Sequence, residues 1–324
     1  MLQLGHTRKN AKQVIIMTIA GIAVIIGLVV LTISYICYRI AFFSPIKNRE
    51  AIPETKGKQF EPYRDTMRRI FTQLAARDYE DVTITSHDGL ELAGKYYHIK
   101  DGAPLAIAFH GYRSCGMTDF AGGSELCFDM EHNLLLVDQR SHGKSQGRAI
   151  TFGILERLDC LRWIHFAVSR FGADVQILLY GISMGATTVL MASALDLPKN
   201  VKAIVADCPY SSPSAIIKAV ARKMHYPTFL AYPFIVLGAK IFGGFDLNAT
   251  TAAEAVKKAQ VPILIIHGEA DGFVPAAMSE EVMQASPEMV KRVTFPGADH
   301  GISYLVDEIR YRKIVTEFIS NVLK

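Results

Sequence analysis

The hydrophobic pattern begins with one long, uninterrupted apolar run. Residues 14–38, VIIMTIAGIAVIIGLVVLTISYICY, contain no charged side chain. A helix needs about 20 apolar residues to cross the hydrocarbon core of a bilayer, so this run is long enough to span it. We therefore predict an uncleaved transmembrane anchor. The alternative is a cleaved signal peptide, whose apolar stretch is usually shorter, about 7–15 residues, and ends at a small-residue cleavage site.

The charges that flank this run bear on its orientation. Arg8, Lys9 and Lys12 precede it and favour an N-terminus in the cytoplasm. Arg39 and further basic residues up to Lys58 follow it and favour the reverse. Large domains are translocated largely regardless of their charge, so we expect the domain that follows to lie on the extracytoplasmic side.

A linker and an amphipathic helix are predicted next. Within residues 44–62, charged residues alternate with helix-breaking ones, which is typical of a linker: Pro45, Pro53, Gly57 and Pro62. Residues 63–77 carry apolar side chains at helical spacing: Met67, Ile70, Phe71 and Leu74. We expect this helix to pack on the domain. The alternative is a helix in the membrane interface, because Arg68 and Arg69 flank its apolar face.

From Asp81 onward, short apolar runs alternate with longer helical patterns. Residues 81–86 and 91–98 predict two strands joined by a turn at residues 87–89. Further strands are predicted at residues 105–109, 134–137, 175–180, 201–206, 261–266 and 290–295, and helices at residues 154–171, 184–195, 276–285 and 303–322. This alternation predicts an α/β fold: a mostly parallel sheet with helices on both faces and an antiparallel edge.

Residues 211–250 interrupt this alternation. The segment is too long for a simple connection and is rich in Ala, Ile, Phe, Tyr and Pro. We predict one or two helices that form a cap, since ligands of open α/β sheets bind at the carboxyl ends of the strands. The alternative is a surface excursion that does not contact the substrate.

The net charge of +4 is unevenly distributed along the chain. Residues 1–77 hold twelve Lys and Arg against four Asp and Glu, whereas the remaining residues hold 23 basic and 27 acidic side chains. The basic excess therefore flanks the apolar run, where it suits anionic lipid headgroups or simply a solvated segment. The folded part lacks the basic excess that nucleic-acid binding requires, so we expect no nucleic-acid partner.

The strongest chemical signal is the sequence GISMG at residues 181–185, which lies between a predicted strand and a predicted helix. This is the context of a nucleophile elbow, a sharp turn that raises a serine hydroxyl above the sheet. Gly181 and Gly185 are expected because a Cβ at either position would crowd the turn and the neighbouring strands. The pattern therefore identifies Ser183 as the candidate nucleophile.

A serine hydroxyl needs a base to take its proton. His300 lies in GADHG after the last predicted strand, and Asp271 lies in HGEADGFVP after the preceding one. We predict that His300 is the general base and that Asp271 orients it. Asp299 and Glu269 are the rival acids; Asp271 is preferred by its position in the motif.

On these motifs, the chain from about Asp81 to its end resembles the α/β-hydrolase superfamily, in particular small bacterial esterase-like members with an N-terminal anchor. Residues 110–112, HGY, stand where the family has its oxyanion loop, and residues 138–145, DQRSHGKS, are similar to its D-x-R-x-x-G-x-S turn. The resemblance implies an oxyanion hole formed by the backbone N–H groups of Tyr112 and Met184, each donor contributing about 3–4 kcal/mol.

The resemblance also implies the α/β-hydrolase fold with a small helical cap. We interpret Asp138 and Arg140 as structural residues of their loop rather than as catalytic ones. The predicted division of the chain is a basic tail at 1–13, a transmembrane anchor at 14–38, a linker and amphipathic helix at 39–77, and a hydrolase domain at 78–324 with its cap at about 211–250.

No metal and no cofactor are predicted. The histidines show no HExxH spacing, and there is neither a G-x-x-x-x-G-K-[ST] nor a G-x-G-x-x-G sequence. Five cysteines without a CxxC pair favour neither a zinc site nor a disulfide framework.

The sequence thus predicts a serine hydrolase that cleaves carboxylic esters through a Ser-His-Asp triad and an acyl-enzyme. The expected partners are a small-molecule or lipid-like ester and a membrane. No pattern in the sequence indicates an oligomeric state. A peptidase or thioesterase on the same triad is an alternative, and so is a non-catalytic membrane scaffold, because a fold does not fix a function.

Overall fold

A computed structural model of the chain describes the backbone of residues 2–44 and 57–324 and the side chains of residues 12–44 and 57–324. Most of the predicted linker at 44–62, and the side chains of Arg8 and Lys9, lie outside the described residues. The described part contains one large sheet with helices on both faces.

The described residues form eight strands: β1 Glu80–Thr85, β2 Glu91–Tyr97, β3 Leu105–Phe109, β4 Asn133–Val137, β5 Ile177–Ile182, β6 Val201–Asp207, β7 Ile263–Gly268 and β8 Val290–Phe295. They confirm the strands predicted from the apolar runs. The strands β5 and β7 lie two residues further along the chain than predicted, because each continues into a motif that follows it. Every residue of β3, β4 and β7 is buried, as continuous apolar runs predict for strands covered on both faces.

The strand order is β1-β2-β4-β3-β5-β6-β7-β8. The strands β1 and β2 pair antiparallel with each other and β2 with β4, and all other pairs are parallel. The connections that leave β3 and β5 run to opposite sides of the sheet, so the order reverses between these two neighbours. Such a switch point opens a crevice at the carboxyl ends of the strands. The loops after β3 and β5 meet there.

The helices of the described residues are α1 Leu2–Ala41, α2 Arg64–Ala75, α3 Gly116–Asp119, α4 Ala121–Asp129, α5 Glu156–Phe171, α6 Met184–Ala192, α7 Pro213–Lys223, α8 Thr228–Phe242, α9 Ala252–Val256, α10 Ala277–Ala285, α11 Ser303–Val306 and α12 Glu308–Val322, with a 3-10 helix at Lys58–Tyr63. The sequence did not predict α3, α4 and α9, which are short. The predicted helix at 303–322 is divided at Asp307, whose carboxylate caps α12 by accepting the N–H of Arg310 at 3.0 Å.

Two hydrophobic layers cover the two faces of the sheet. One contains residues of α5, α6, α9 and α10 together with the end of α1, and the other contains residues of α2, α4 and α12. The predicted apolar positions of α2 are all buried in the second layer: Met67, Ile70, Phe71 and Leu74. The structure thus confirms that α2 packs on the domain.

The helix α1 contains the predicted anchor and continues through the predicted tail as well. Its segment Lys12–Ala41 is long and apolar enough to cross a membrane by length and composition, and its most apolar part has no buried residue. The end of the helix, however, is docked on the domain. Phe42 is fully buried and contacts the rings of Phe152 and Phe245 edge to face. Hydrogen bonds from Ile150 N to Phe42 O and from Ser44 N to Arg148 O fix the chain just beyond it.

The insertion at 211–250 forms the two helices α7 and α8. The helix α8 packs along α1, where Phe242 contacts the ring of Tyr35 at a centroid distance of 5.1 Å. The preceding helix α7 begins with a capping Ser212, whose hydroxyl accepts the N–H of Ala215 at 3.1 Å.

The loop after β4 is held by Asp138 and Arg140. Asp138 accepts the N–H of Lys144 at 3.0 Å across the turn. Arg140 is 3% exposed and donates to Asp159 at 2.6 Å and to Asp88 at 3.0 Å. The contacts of both side chains are those of a structural turn, as the sequence predicted.

We predict that Arg140→Ala lowers the free energy of unfolding by about 3–5 kcal/mol, because it leaves the buried carboxylate of Asp159 without its partner. Urea denaturation of the full chain in detergent measures the loss. The matched control is Lys100→Ala, which breaks an exposed pair with Glu131 and should cost at most about 1 kcal/mol. Equal losses in the two variants would contradict the prediction.

Candidate active site

Ser183 lies at the tight turn between β5 and α6. Its φ of 55° and ψ of −112° are unusual for a residue with a side chain. A Cβ on Gly181 would lie 2.3 Å from the carbonyl oxygen of Gly185, and one on Gly185 would lie 1.7 Å from that of Phe109. Both positions therefore require glycine, and the Ser183 hydroxyl is held at the carboxyl edge of the sheet.

The side chains of Ser183, His300 and Asp271 form a hydrogen-bonded chain. His300 Nε2 lies 3.0 Å from Ser183 Oγ, and His300 Nδ1 lies 2.7 Å from Asp271 Oδ2. Ser183 and Asp271 are buried, whereas His300 is partly exposed. These distances suit a nucleophile, a base and a carboxylate that orients the base.

Asp271 is held by several donors at once. Its Oδ1 accepts the N–H groups of Phe273 at 2.9 Å and Val274 at 2.7 Å. Burial on its own raises the pKa of Asp271, but hydrogen bonds from His267 and His300 and the charge of His300 outweigh it. The net pKa of Asp271 is therefore well below its usual value, and the carboxylate stays ionised.

His267 is a neighbour that the sequence did not predict. It is fully buried, and its Nε2 lies 3.2 Å from Asp271 Oδ2 and 3.0 Å from the carbonyl oxygen of Val274. Because both neighbours are acceptors, Nε2 carries the proton. His267 therefore stabilises Asp271 as a second donor to the same carboxylate oxygen that His300 contacts.

The two rival acids point elsewhere. Glu269 accepts a hydrogen bond from the Thr294 hydroxyl at 2.6 Å. Asp299 Oδ1 accepts the backbone N–H groups of Gly272 at 2.8 Å and His300 at 2.7 Å. The imidazole of His300 thus contacts Asp271, as the motif position predicted.

Tyr112, in the loop after β3, and Ser183 line the same cavity. Within the described part of the chain, neither the backbone N–H of Tyr112 nor that of Met184 has a hydrogen-bond acceptor. Two unpaired donors beside a serine hydroxyl suit an oxyanion hole. Asp119, which the sequence analysis did not single out, holds the loop by accepting from Gly111 N at 2.6 Å and Ser114 Oγ at 2.5 Å.

The same loop is bonded to the end of α1. The Tyr112 hydroxyl donates to the carbonyl oxygen of Ala41 at 2.8 Å. The Arg113 guanidinium donates to the carbonyl oxygens of Ile40 at 2.9 Å and Phe43 at 3.2 Å. These carbonyls have no partner within the helix because they lie at its last turn and just beyond it. The loop after β3 thus caps the C-terminal end of α1, a long-range contact that no local pattern signals.

A cavity of about 240 Å³ opens beside Ser183 and His300. Apolar side chains of α2, Met67 and Ile70, line it together with Phe120 and Leu126, and most of its lining is apolar. No residue of the insertion at 211–250 lines this cavity; the 3-10 helix and α2 stand there instead. The contact of the insertion with substrate stays a prediction.

Asp207 lies in the wall of this cavity at the end of β6. Its Oδ2 accepts the Tyr311 hydroxyl at 3.1 Å, and its Oδ1 has no partner among the described residues. Burial raises the pKa of Asp207 to about 6, although the charges of His267 and His300 and the Tyr311 hydrogen bond act to lower it. Asp207 was not among the predicted site residues, although it is a charged residue directly after the predicted strand at 201–206.

Two groups of described side chains place ligand-type atoms within 4.8 Å of one another: Cys208, Asp271 and His300, and His87, Asp88 and Asp159. In the first, Asp271 and His300 already bond each other. In the second, the Arg140 guanidinium pairs with both carboxylates and supplies the positive charge. The present contacts of both groups favour hydrogen bonding over metal ligation.

Comparisons with known proteins agree with this architecture. Residues 115–259 match the family described as alpha/beta hydrolase fold. An esterase from Pyrococcus furiosus is 24% identical, with a TM-score of 0.62 over 78% of this chain and 96% of that chain. The ferulic acid-bound Est1E from Butyrivibrio proteoclasticus is 21% identical, with a TM-score of 0.56 over 75% of this chain and 99% of that chain. These likenesses confirm the predicted α/β-hydrolase fold.

Two relatives are similar in sequence. The protein YqkD of Bacillus subtilis is 22% identical over 253 residues, which is 78% of this chain and 83% of that protein. Thiohydrolase aneE of Aspergillus aculeatus is 25% identical over 158 residues, which is 48% of this chain and 47% of that protein.

We predict that Asp207→Asn flattens the pH dependence of stability. The pKa of Asp207 is about 6 in the folded chain, against about 3.9 for an unfolded aspartate. Between about pH 4 and pH 6 the folded state therefore binds a proton that the unfolded state does not. The stability that this proton gives is complete below about pH 4 and is lost as the pH rises to and through about 6. The difference of about two pKa units corresponds to a loss of about 3 kcal/mol in the free energy of unfolding, at about 1.36 kcal/mol per unit.

Urea denaturation at a series of pH values from 4 to 8 checks this prediction. The difference between the wild-type and Asp207→Asn curves isolates the one carboxyl group from others that titrate in the same range. Parallel curves would show that Asp207 does not titrate there.

Proposed function

We propose that this chain, which has the α/β-hydrolase fold, is a serine hydrolase that cleaves carboxylic esters. The observation that carries the proposal is the hydrogen-bonded chain from Ser183 Oγ through His300 to Asp271. In this proposal Ser183 is the nucleophile, His300 the general base and Asp271 the carboxylate that fixes the imidazole.

The reaction proceeds in two halves. His300 Nε2 accepts the hydroxyl proton as Ser183 Oγ attacks the ester carbonyl carbon, and it then donates this proton to the leaving alcohol. Water enters, gives a proton to His300 and attacks the acyl carbon. As the bond from this carbon to Ser183 Oγ breaks, His300 gives the proton to Oγ, which releases the acid and restores the serine hydroxyl. Asp271 stays ionised throughout, since its lowered pKa reflects donors that do not leave, and it stabilises the imidazolium.

The negative oxygen of each tetrahedral intermediate binds to the backbone N–H groups of Tyr112 and Met184. Neither N–H group has an acceptor among the described residues, so each can bind the negative oxygen without first breaking another hydrogen bond. The N-terminus of α6 also points its unpaired N–H groups toward this charge.

The cavity beside Ser183 favours an apolar acyl group, because most of its lining is apolar. The Pyrococcus furiosus relative named as an esterase supports an ester substrate. A thioester is the second candidate, supported by the similarity to thiohydrolase aneE. The same triad serves either leaving group.

We further propose that α1 anchors the protein in a membrane. The apolar segment Lys12–Ala41 supports this. The burial of Tyr38 against the domain argues against removal of the segment as a signal peptide, because cleavage after the apolar run would delete this side chain from the core. The extracytoplasmic side for the domain stays a prediction.

We predict that Ser183→Ala abolishes both turnover of p-nitrophenyl esters and labelling by a fluorophosphonate probe, because the attacking oxygen is gone. Labelling of the wild-type chain distinguishes the hydrolase from a non-catalytic scaffold. The matched control is Ser320→Ala, an exposed serine of α12 that should leave both signals intact. Full activity in Ser183→Ala would refute the proposed mechanism.

We predict that Tyr112→Phe lowers kcat by up to about tenfold, because the loss of one hydrogen bond of about 0.5–1.5 kcal/mol loosens the oxyanion loop. The substitution keeps the backbone N–H, so KM should not change. The control Tyr232→Phe also removes a tyrosine hydrogen bond, to Asn248, but lies outside the cavity. A kcat equal to that of wild type would mean that the bond to Ala41 does not position the loop.

A further inference from the structure

The helix α8 is apolar on every side. Its 15 residues, TFLAYPFIVLGAKIF, include a single charged side chain, Lys240. Three large apolar residues point to the exterior: Phe229 is 76% exposed, Leu230 55% and Ile241 50%. A surface helix in water normally has a polar face, and a helix without one is found in a core or in a membrane. The domain does not supply that core, because these side chains remain uncovered.

The same helix packs closely on α1. A Cβ on Gly238 would lie 2.4 Å from the carbonyl oxygen of Ser34, and Ser34 is fully buried. The ring of Phe242 lies 5.1 Å from that of Tyr35 and 6.1 Å from that of Tyr38. Small residues that let two helix backbones approach are typical of helix pairs in membranes.

The position of this contact along α1 indicates how far α8 would reach into a bilayer that surrounds α1. The apolar run of α1 is about 37 Å long at 1.5 Å per residue, whereas the hydrocarbon core is about 30 Å thick. The side chains of α1 that the domain covers begin at the half-buried Val30 and include the buried Ser34 and Tyr38. This stretch is the last third of the run, so a bilayer that surrounds α1 also reaches α8.

The end of the run carries the residues of a membrane interface. The Arg39 guanidinium lies 4.0 Å from the ring centroid of Phe43 and 5.8 Å from that of Tyr35. Aromatic and basic side chains concentrate at this level of a membrane protein. Tyr35 also contacts Phe242, so the C-terminal end of α8 lies at the same level.

We propose that α8 is a second membrane-embedded element, which lies in the same leaflet as the C-terminal end of α1 with Phe229, Leu230 and Ile241 against lipid acyl chains. The proposal rests on the proposed membrane span of α1. Continuity argues for lipid rather than for a second copy of the chain: the apolar residues of α1 are exposed up to the contact with α8, and one bilayer covers both helices. Two embedded helices fix the orientation of the domain on the membrane.

The chain offers a direct test, because its one tryptophan, Trp163, is 1% exposed and serves as an unquenched background. The full chain is reconstituted in phosphatidylcholine vesicles whose acyl chains are brominated, and bromine quenches tryptophan that touches the chains. Phe229→Trp should lose most of the emission that the added tryptophan contributes. Its emission should also lie to the blue of the same variant in urea.

Two matched variants make the outcomes distinct. Ile309→Trp places the probe on α12 at an 84% exposed position and should not be quenched. Ile26→Trp places it in α1 and should be quenched if α1 spans the bilayer. Quenching of Ile26→Trp without quenching of Phe229→Trp overturns the proposal for α8 and leaves the anchor intact. The absence of quenching at both positions overturns the anchor as well.

Discussion

The architecture depends on a steric constraint at the turn after β5. The carbonyl oxygens of Gly185 and Phe109 stand where a Cβ on Gly181 or Gly185 would have to lie. Only two glycines allow α6 to begin this close to β3, and only this closeness brings Ser183 beside the loop that follows β3. The backbone strain of Ser183 is therefore supported by the packing of two buried strands and a buried helix.

The parallel sheet brings the loops of the candidate site together at one edge. The strands β5, β7 and β8 end at the same edge, so the loops that carry Ser183, Asp271 and His300 converge although the residues are far apart in the chain. The hydrogen bonds of His267 and two backbone N–H groups to Asp271 hold the acid in place. The imidazole of His300 is held at both ring nitrogens, and the carboxylate of Asp271 is held at both oxygens, so the base and the acid have fixed orientations.

Most of the strands and the three side chains of the candidate site were predictable, because each is marked by a local sequence pattern. Short apolar runs, most of them continuous, and one turn signal at residues 87–89 identified the strands. The order of GISMG, the Asp271 motif and the His300 motif identified the three side chains that meet. The predictions failed where the cause is tertiary. Nothing near Asp119, Asp207 or His267 in the sequence shows which backbone or cavity each will face. Short helices such as α3 and α9 have too few residues to establish a period.

The contacts between α1 and the loop after β3 also could not be predicted, since they join residues about 70 positions apart through carbonyl groups at the end of the helix. They have a practical consequence for preparing the protein. A soluble form that starts after the apolar run would lack Ser34 and Tyr38, which are buried against the domain. The boundary between the proposed anchor and the folded domain thus falls inside the apolar run, so we expect purification of the full chain in detergent, rather than truncation, to preserve the native core.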